Sequence, residues 1–141
     1  MSATPSNDIT PQVINTMIEE LFPGNGSVCV EVGPTSALTR SVPTEDQIRP
    51  GGFISGPTLF AAADVSLWYL TFGAIGRVEP MALTSELSIR YLRPAVGDVV
   101  WARATLEVAG RRNVVGTARI WTDDNESRPS ATAQGTYVLP H

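Results

Sequence analysis

The chain has 141 residues, 43% hydrophobic and 17% charged, which fits one globular domain with a substantial core. Its ten basic residues are all arginine, its only histidine is His141 and its only cysteine is Cys29. That inventory excludes a Ser-His-Asp or Cys-His nucleophile, a His/Cys zinc site, a P-loop lysine and a Schiff base, and the net charge of −4 argues against nucleic acid as a partner.

Enzymatic proton chemistry in this chain must rest on carboxylates, hydroxyls, backbone amides or bound substrate. A carboxylate cage for a hard cation stays formally open, but no metal site is assigned. The stretch Met1–Asp8 has neither a basic nor an apolar run, so no signal peptide is expected. Cys29 lies in the alternating segment Ser27–Glu31 and is read as a reduced, packed thiol, compatible with a cytoplasmic protein.

Thr10-Pro11 is a helix start, an N-cap followed by proline at the first helical position. Ile14, Met17, Ile18 and Leu21 follow at helical spacing, and Pro23-Gly24 stops the run. Residues 1–26 are thus an N-terminal segment and helix, and 27–141 the main body of a single domain. Residues 27–33 read as a strand; the proline- and glycine-bearing stretch 34–52 reads as a strand remnant and then a loop.

A long apolar helix is predicted from Pro57 to Phe72, capped by Ser55 or Gly56 and ended by Gly73. It is apolar on nearly every side and belongs inside a sheet, against a partner subunit, or both. From Phe53 to Gly76 the only charge is Asp64, and the length approaches a membrane span. Gly56-Pro57 near the start of this stretch, Gly73 and Gly76 near its end, and a central aspartate costing about 2.5–3.5 kcal/mol on insertion argue against a membrane location. The remainder is β: alternating strands at 82–92, 98–108, 112–122 and 131–138, read as a four-stranded meander with a short Ala109–Arg111 hairpin. The fold class is α+β.

Asp64 lies mid-helix with no neighbour within a turn to neutralise it. Burial disfavours a lone carboxylate and favours proton uptake, which suits a general base. The alternative is a structural aspartate paired with Arg90 or Arg103, or bonded to Ser/Thr. At the helix start, Ser55-Gly56-Pro57-Thr58 offers free backbone N–H groups and the positive dipole end, either an oxyanion site or simply a cap. Gly56 and Asp64 are eight residues apart, about 12 Å along a helix, so one small carbonyl cannot touch both. If both act together, antiparallel helices of two subunits must face each other.

Gly52-Phe-Ile-Ser-Gly-Pro-Thr-Leu-Phe-Ala-Ala-Ala-Asp64, then Leu87-Ser-Ile-Arg-Tyr-Leu-Arg-Pro-Ala-Val-Gly-Asp98 and Gly110-Arg-Arg112, resemble the PaaI-like hotdog-fold acyl-CoA thioesterases over residues 45–138. The resemblance implies a hotdog fold, an antiparallel sheet wrapped around a long central helix, with the N-terminal helix added. It implies hydrolysis of an acyl-CoA thioester to a carboxylic acid and coenzyme A, with no cofactor beyond the substrate and with a homodimer or a dimer of dimers as the working form. In that reading Asp64 is the catalytic carboxylate, activating water or attacking the thioester, and the Gly56 amide polarises the thioester carbonyl from the opposing subunit. Thr84 falls where some relatives hold water with Ser/Thr. Arg111 and Arg112 sit on a hairpin that meets the phosphates of coenzyme A or is simply solvated. Ser55 and Thr58 join the substrate-binding set at the helix start.

Two departures stand out. Ser55 and Pro57 replace the family's histidine and second glycine, which removes one helix-start amide. Arg49 stands fifteen residues before Asp64, where many relatives carry Asn or Gln; it neutralises Asp64, grips a phosphate or contacts an acidic acyl group. Hotdog hydratases resemble a site with a catalytic histidine, which this chain lacks. A non-catalytic acyl-CoA or acyl-carrier binding module is the remaining alternative.

Overall fold

The computed structural model describes residues 9–141, so the signal-peptide expectation for residues 1–8 lies outside the described residues. Helix α1 (Pro11–Leu21) starts as read: the Thr10 hydroxyl accepts from the Val13 N–H at 3.2 Å, and Pro11 opens the first turn. Its apolar stripe buries Ile14, Met17 and Ile18 in the same core as Leu67, Tyr69, Leu70 and Phe72. Asn15 ties the helix to strand β1 (Ser27–Val32), donating to Cys29 O at 3.0 Å and accepting from Cys29 N at 2.9 Å.

Strand β2 (Ser36–Ser41) follows, then one 3-10 turn (Glu45–Gln47) and a short ribbon, β3 (Ile48–Arg49) with β4 (Phe53–Ile54). Helix α2 (Gly56–Ile75) leads into β5 (Leu83–Tyr91), β6 (Val100–Ala109), β7 (Asn113–Thr122) and β8 (Ala131–Val138). The large sheet is antiparallel throughout in the order β1-β2-β6-β7-β8-β5, and α2 lies against one face of it. By length and apolarity α2 passes for a membrane span, but every residue from Ser66 to Gly73 is buried within the fold, so it is the core helix.

Three sequence expectations change. The segment read as a strand remnant contains a full strand: β2 pairs with β1 on one side and with β6, from Ser36↔Thr105 to Ser41↔Val100, on the other. Ala37, Leu38 and Thr39 are buried in succession, which erases the alternation that marks a half-buried strand. With β2 beside β6, the expected four-stranded meander shrinks to β6-β7-β8, and β5 takes the far edge beside β8. The helix also runs past Gly73 and is capped instead by Gly76 at φ 77°. A Cβ on Gly73 would lie 2.1 Å from the carbonyl oxygen of Gly33, so this glycine lets the β1–β2 turn approach the helix.

Candidate active site

Asp64 is half-buried on α2 and makes no ion pair among the described residues. Arg103 instead binds Glu126 at 2.8 Å and Glu31 at 3.6 Å, and the exposed Arg90 lines a depression with Thr117, Arg119 and Gln134. Two hydroxyls hold the carboxylate: Thr84 Oγ1 and Tyr137 Oη each donate to Asp64 Oδ1 at 2.7 Å. The Tyr137 hydroxyl also lies 3.1 Å from the Asp64 carbonyl oxygen. Among the described residues nothing donates to Oδ2. Burial, with the neighbouring Asp64 carboxylate adding to it, pushes the Tyr137 phenol far above its ordinary range and keeps it a donor.

Thr84 reaches Asp64 because of an irregularity in β5. The register passes from Thr84↔Tyr137 to Glu86↔Thr136, leaving Ser85 as an extra, unpaired residue. Leu87 and Ile89 face the core, and strict alternation would turn Ser85 and Leu83 inward with them. The bulge reverses the parity, so that Ala82 is buried, Leu83 is exposed and the Thr84 side chain turns in. Tyr137 was missed from sequence. Its signal was the inward-facing row Ala131, Ala133, Gly135, Tyr137, in which one large polar residue ends a strip of small ones.

At the other end of the helix the amides are largely spoken for. The Ser55 N–H donates to Gln47 O at 2.9 Å, Thr58 N–H to Ser55 O and Oγ, and Leu59 N–H to Ser55 O at 3.2 Å. Pro57 has no N–H, so of the free group expected here only the Gly56 N–H lacks an acceptor among the described residues. The Ser55 and Thr58 hydroxyls bond each other at 2.6 Å. Tyr91 donates to the Gly56 carbonyl at 2.9 Å and would lie 3.3 Å from a Cβ at that position.

An open cleft of about 440 Å³ adjoins this helix start, lined by Arg49, Phe53, Gly56, Leu59, Tyr91 and Arg93 among others. No carboxylate pairs with Arg49 among the described residues, whereas Arg93 is tethered to Pro129 O. Arg111 and Arg112 lie at the opposite end of the sheet, on the β6–β7 hairpin, and Arg112 contacts the His141 ring at 2.9 Å. That hairpin shares its end of the sheet with Thr84 and Tyr137, since Asn113 pairs with Val138. Asp64 at one end of the helix and Gly56 with Arg49 at the other are therefore separated by about 12 Å. Among the described residues no cluster of His, Cys, Asp and Glu is placed to hold a metal ion.

The sequence profile of the Thioesterase superfamily matches residues 51–128, more than half the chain and the segment that holds Gly56, Asp64 and Thr84. The chain belongs to the thioesterase superfamily. A search of the curated proteins returned no match. Among solved structures, a candidate thioesterase from a Silicibacter species is 29% identical, with a TM-score of 0.82 over 94% of this chain and 92% of that one. Zebrafish thioesterase superfamily member 2 is 16% identical, with a TM-score of 0.76 over 93% and 99% of the two chains. The PaaI protein from the phenylacetic acid degradation operon of E. coli is 19% identical, with a TM-score of 0.69 over 91% and 92%. This thioesterase-superfamily chain therefore has the PaaI-like hotdog fold: the sheet wraps the central helix and α1 packs beside β1. Ser55 and Pro57 give its helix start a cap with one amide, the Gly56 N–H, that has no acceptor among the described residues.

Proposed function

We propose that the protein hydrolyses an acyl-CoA thioester to a carboxylic acid and coenzyme A, in a site shared by two copies of the chain. The observation that carries this reading is the position of Asp64 on an uncovered stripe of α2. Pro57, Phe60, Ala61 and Asp64 follow one another at helical spacing, and the first three are exposed. Beside the stripe runs β5, whose outer edge is unpaired among the described residues and which begins at Leu83, 65% exposed, just after Met81, 63% exposed. Such an edge and an adjoining apolar face favour a second copy, and a two-fold arrangement sets each Gly56 opposite the other Asp64. A homodimer is the minimal unit; a dimer of dimers is equally compatible with the site.

In this mechanism the Gly56 N–H and the helix dipole hold the thioester carbonyl oxygen as it gains charge. Asp64 of the other copy takes a proton from water, and the resulting hydroxide oxygen bonds to the carbonyl carbon. When the tetrahedral intermediate collapses the carbon–sulfur bond breaks, and the proton passes from Asp64 to the departing thiolate. Thr84 steadies the carboxylate. Ser55 and Thr58 shape the helix start, Arg49 flanks the bound carbonyl, and Arg111 and Arg112 meet the coenzyme A phosphates. A reduced Cys29 fits a cytoplasmic setting.

The test is release of free thiol from a panel of acyl-CoA thioesters. Wild type should turn over at least one, and Asp64→Asn should lower kcat by at least about 10²-fold, the scale of a lost general base. An Asp64→Asn variant with wild-type rates removes the catalytic assignment. Sedimentation of a monomer at assay concentration removes the shared site.

A further inference from the structure

We propose that Tyr137 is a positioning residue that selects which oxygen of Asp64 reacts: with Thr84 it occupies Oδ1, so that Oδ2 takes the proton from water. The inference rests on the reading of Asp64 as general base and adds a residue and a geometry to it. A carboxylate oxygen offers two lone-pair sites, and two hydroxyl donors at 2.7 Å fill both of those on Oδ1. Oδ2 is left with no donor among the described residues and is the oxygen available to water.

A half-exposed aspartate on a helix would otherwise sample several rotamers, and the oxygens exchange roles when its terminal torsion turns over. Tyr137 removes that freedom from two directions. Its hydroxyl approaches both Oδ1 and the main-chain carbonyl of Asp64, at 2.7 and 3.1 Å, which ties the side chain to its own backbone. The tyrosine itself cannot follow the carboxylate, because its ring is 5% exposed and sits in the core with Leu87 and Leu106 packed against the cluster. Thr84 comes from a different strand, β5, where the bulge turns it inward directly opposite Tyr137. Two donors on two elements define one carboxylate orientation, where one donor would leave a swivel.

Tyr137 lines neither the Gly56 cleft nor the depression around Arg111 and Arg112, the features assigned to substrate. Its loss should therefore appear in turnover and not in substrate affinity. A misplacement of the base on the ångström scale costs up to about 10²-fold in rate.

The experiment measures kcat and KM separately for wild type, Tyr137→Phe, Thr84→Val, the double variant and Asp64→Asn, with thermal unfolding of each. The expected result is a fall of about 10- to 100-fold in kcat for Tyr137→Phe with KM within twofold and the folded state retained. Thr84→Val, on an exposed strand, should give the same signature, and it decides the matter if Tyr137→Phe fails to fold. The double variant should fall further than either single. A tenfold rise in KM, or kcat within twofold of wild type in both single variants while Asp64→Asn is inactive, overturns the positioning role alone. Full activity in Asp64→Asn instead overturns the base assignment on which it rests, so the two failures are distinct.

Discussion

Thr84 and Asp64 stand twenty positions apart and are joined by a 2.7 Å hydrogen bond that a bulge in β5 permits. With Ser85 paired in regular alternation the strand would present Leu83, not Thr84, to the carboxylate. Bulges beside functional sites commonly re-aim a side chain in this way. The same shift leaves Leu83 on the outer face, next to the exposed apolar stripe of α2.

Deleting Ser85 removes the extra residue and sets Thr84 directly before Glu86, so that strict alternation keeps the Thr84 hydroxyl opposite Tyr137 and turned toward Asp64. Thiol release should therefore be retained, and circular dichroism should still report the sheet. A hydrogen bond to a charged group is worth about 1.5–3 kcal/mol, so a fall of about tenfold or more in the deletion variant would show that the local twist of the bulge, and not the parity of the strand alone, aims Thr84.

Gly73→Ala separates two explanations of that glycine. As a mere helix stop it would gain from alanine, because the residue is helical and alanine is favoured by about 1 kcal/mol. The new Cβ, however, would lie 2.1 Å from a backbone oxygen that has no flexible end to yield. Overpacking of this kind typically costs about 1–3 kcal/mol, and we expect the upper part of that range as a net loss in urea unfolding. A stabilised variant would mean that the β1–β2 turn moves aside freely.

Much of the fold was legible because its signals are local. Pro11 and Thr10 mark the start of α1, the continuous apolar run marks α2, and alternation marks β5 to β8. What escaped detection depends on neighbours. β2 is buried at three successive positions because it lies between two strands and under a helix, so it lacks a period-two signature. The place of β5 at the edge followed from that omission. Asp64 stood out in sequence as the only charge in an apolar helix. Of its partners, Thr84 was named only through the resemblance, because its direction comes from a bulge, and Tyr137, seventy-three residues away, was missed. The amides of Ser55 and Thr58 looked free until the Gln47 carbonyl and the Ser55 oxygens were placed beside them.

Glu126 links Arg103 and Arg119 on the outer face of the sheet, at 2.8 and 3.0 Å. The hydrogen bond from Arg103 is the main cause that holds its carboxyl below the ordinary value of 4.5. A depressed folded-state value means stability that is present above pH 4.5 and lost as pH falls through the lower folded value. The pair is about one-third exposed, so screening keeps the contribution to about 0.5 kcal/mol. Glu126→Gln should therefore be slightly less stable than wild type at pH 7 in urea unfolding, with the gap closing as pH falls below 4.5. A constant gap would assign the effect to packing rather than charge.

Cys29 supplies the opposite sign. Its side chain is 2% exposed, its Sγ–H points to the Glu31 carbonyl at 3.5 Å, and burial pushes the thiol from 9.0 up to about 12. An acid whose folded value is raised keeps its proton in the native state, so its contribution to stability is complete below pH 9 and is lost as pH rises toward 12. Only the thiolate attacks disulfide reagents, and β1 is anchored to α1 on both sides of the Cys29 peptide by Asn15. Native protein at pH 8 should therefore react with an aromatic disulfide at least about 100-fold more slowly than the same protein in guanidinium, where the single thiol titrates at once. Asn15→Ala removes the two bonds that hold the strand to the helix and should speed the native reaction without changing the denatured one. Equal rates in native and denatured wild type would mean that the α1–β1 layer opens faster than the reagent reacts.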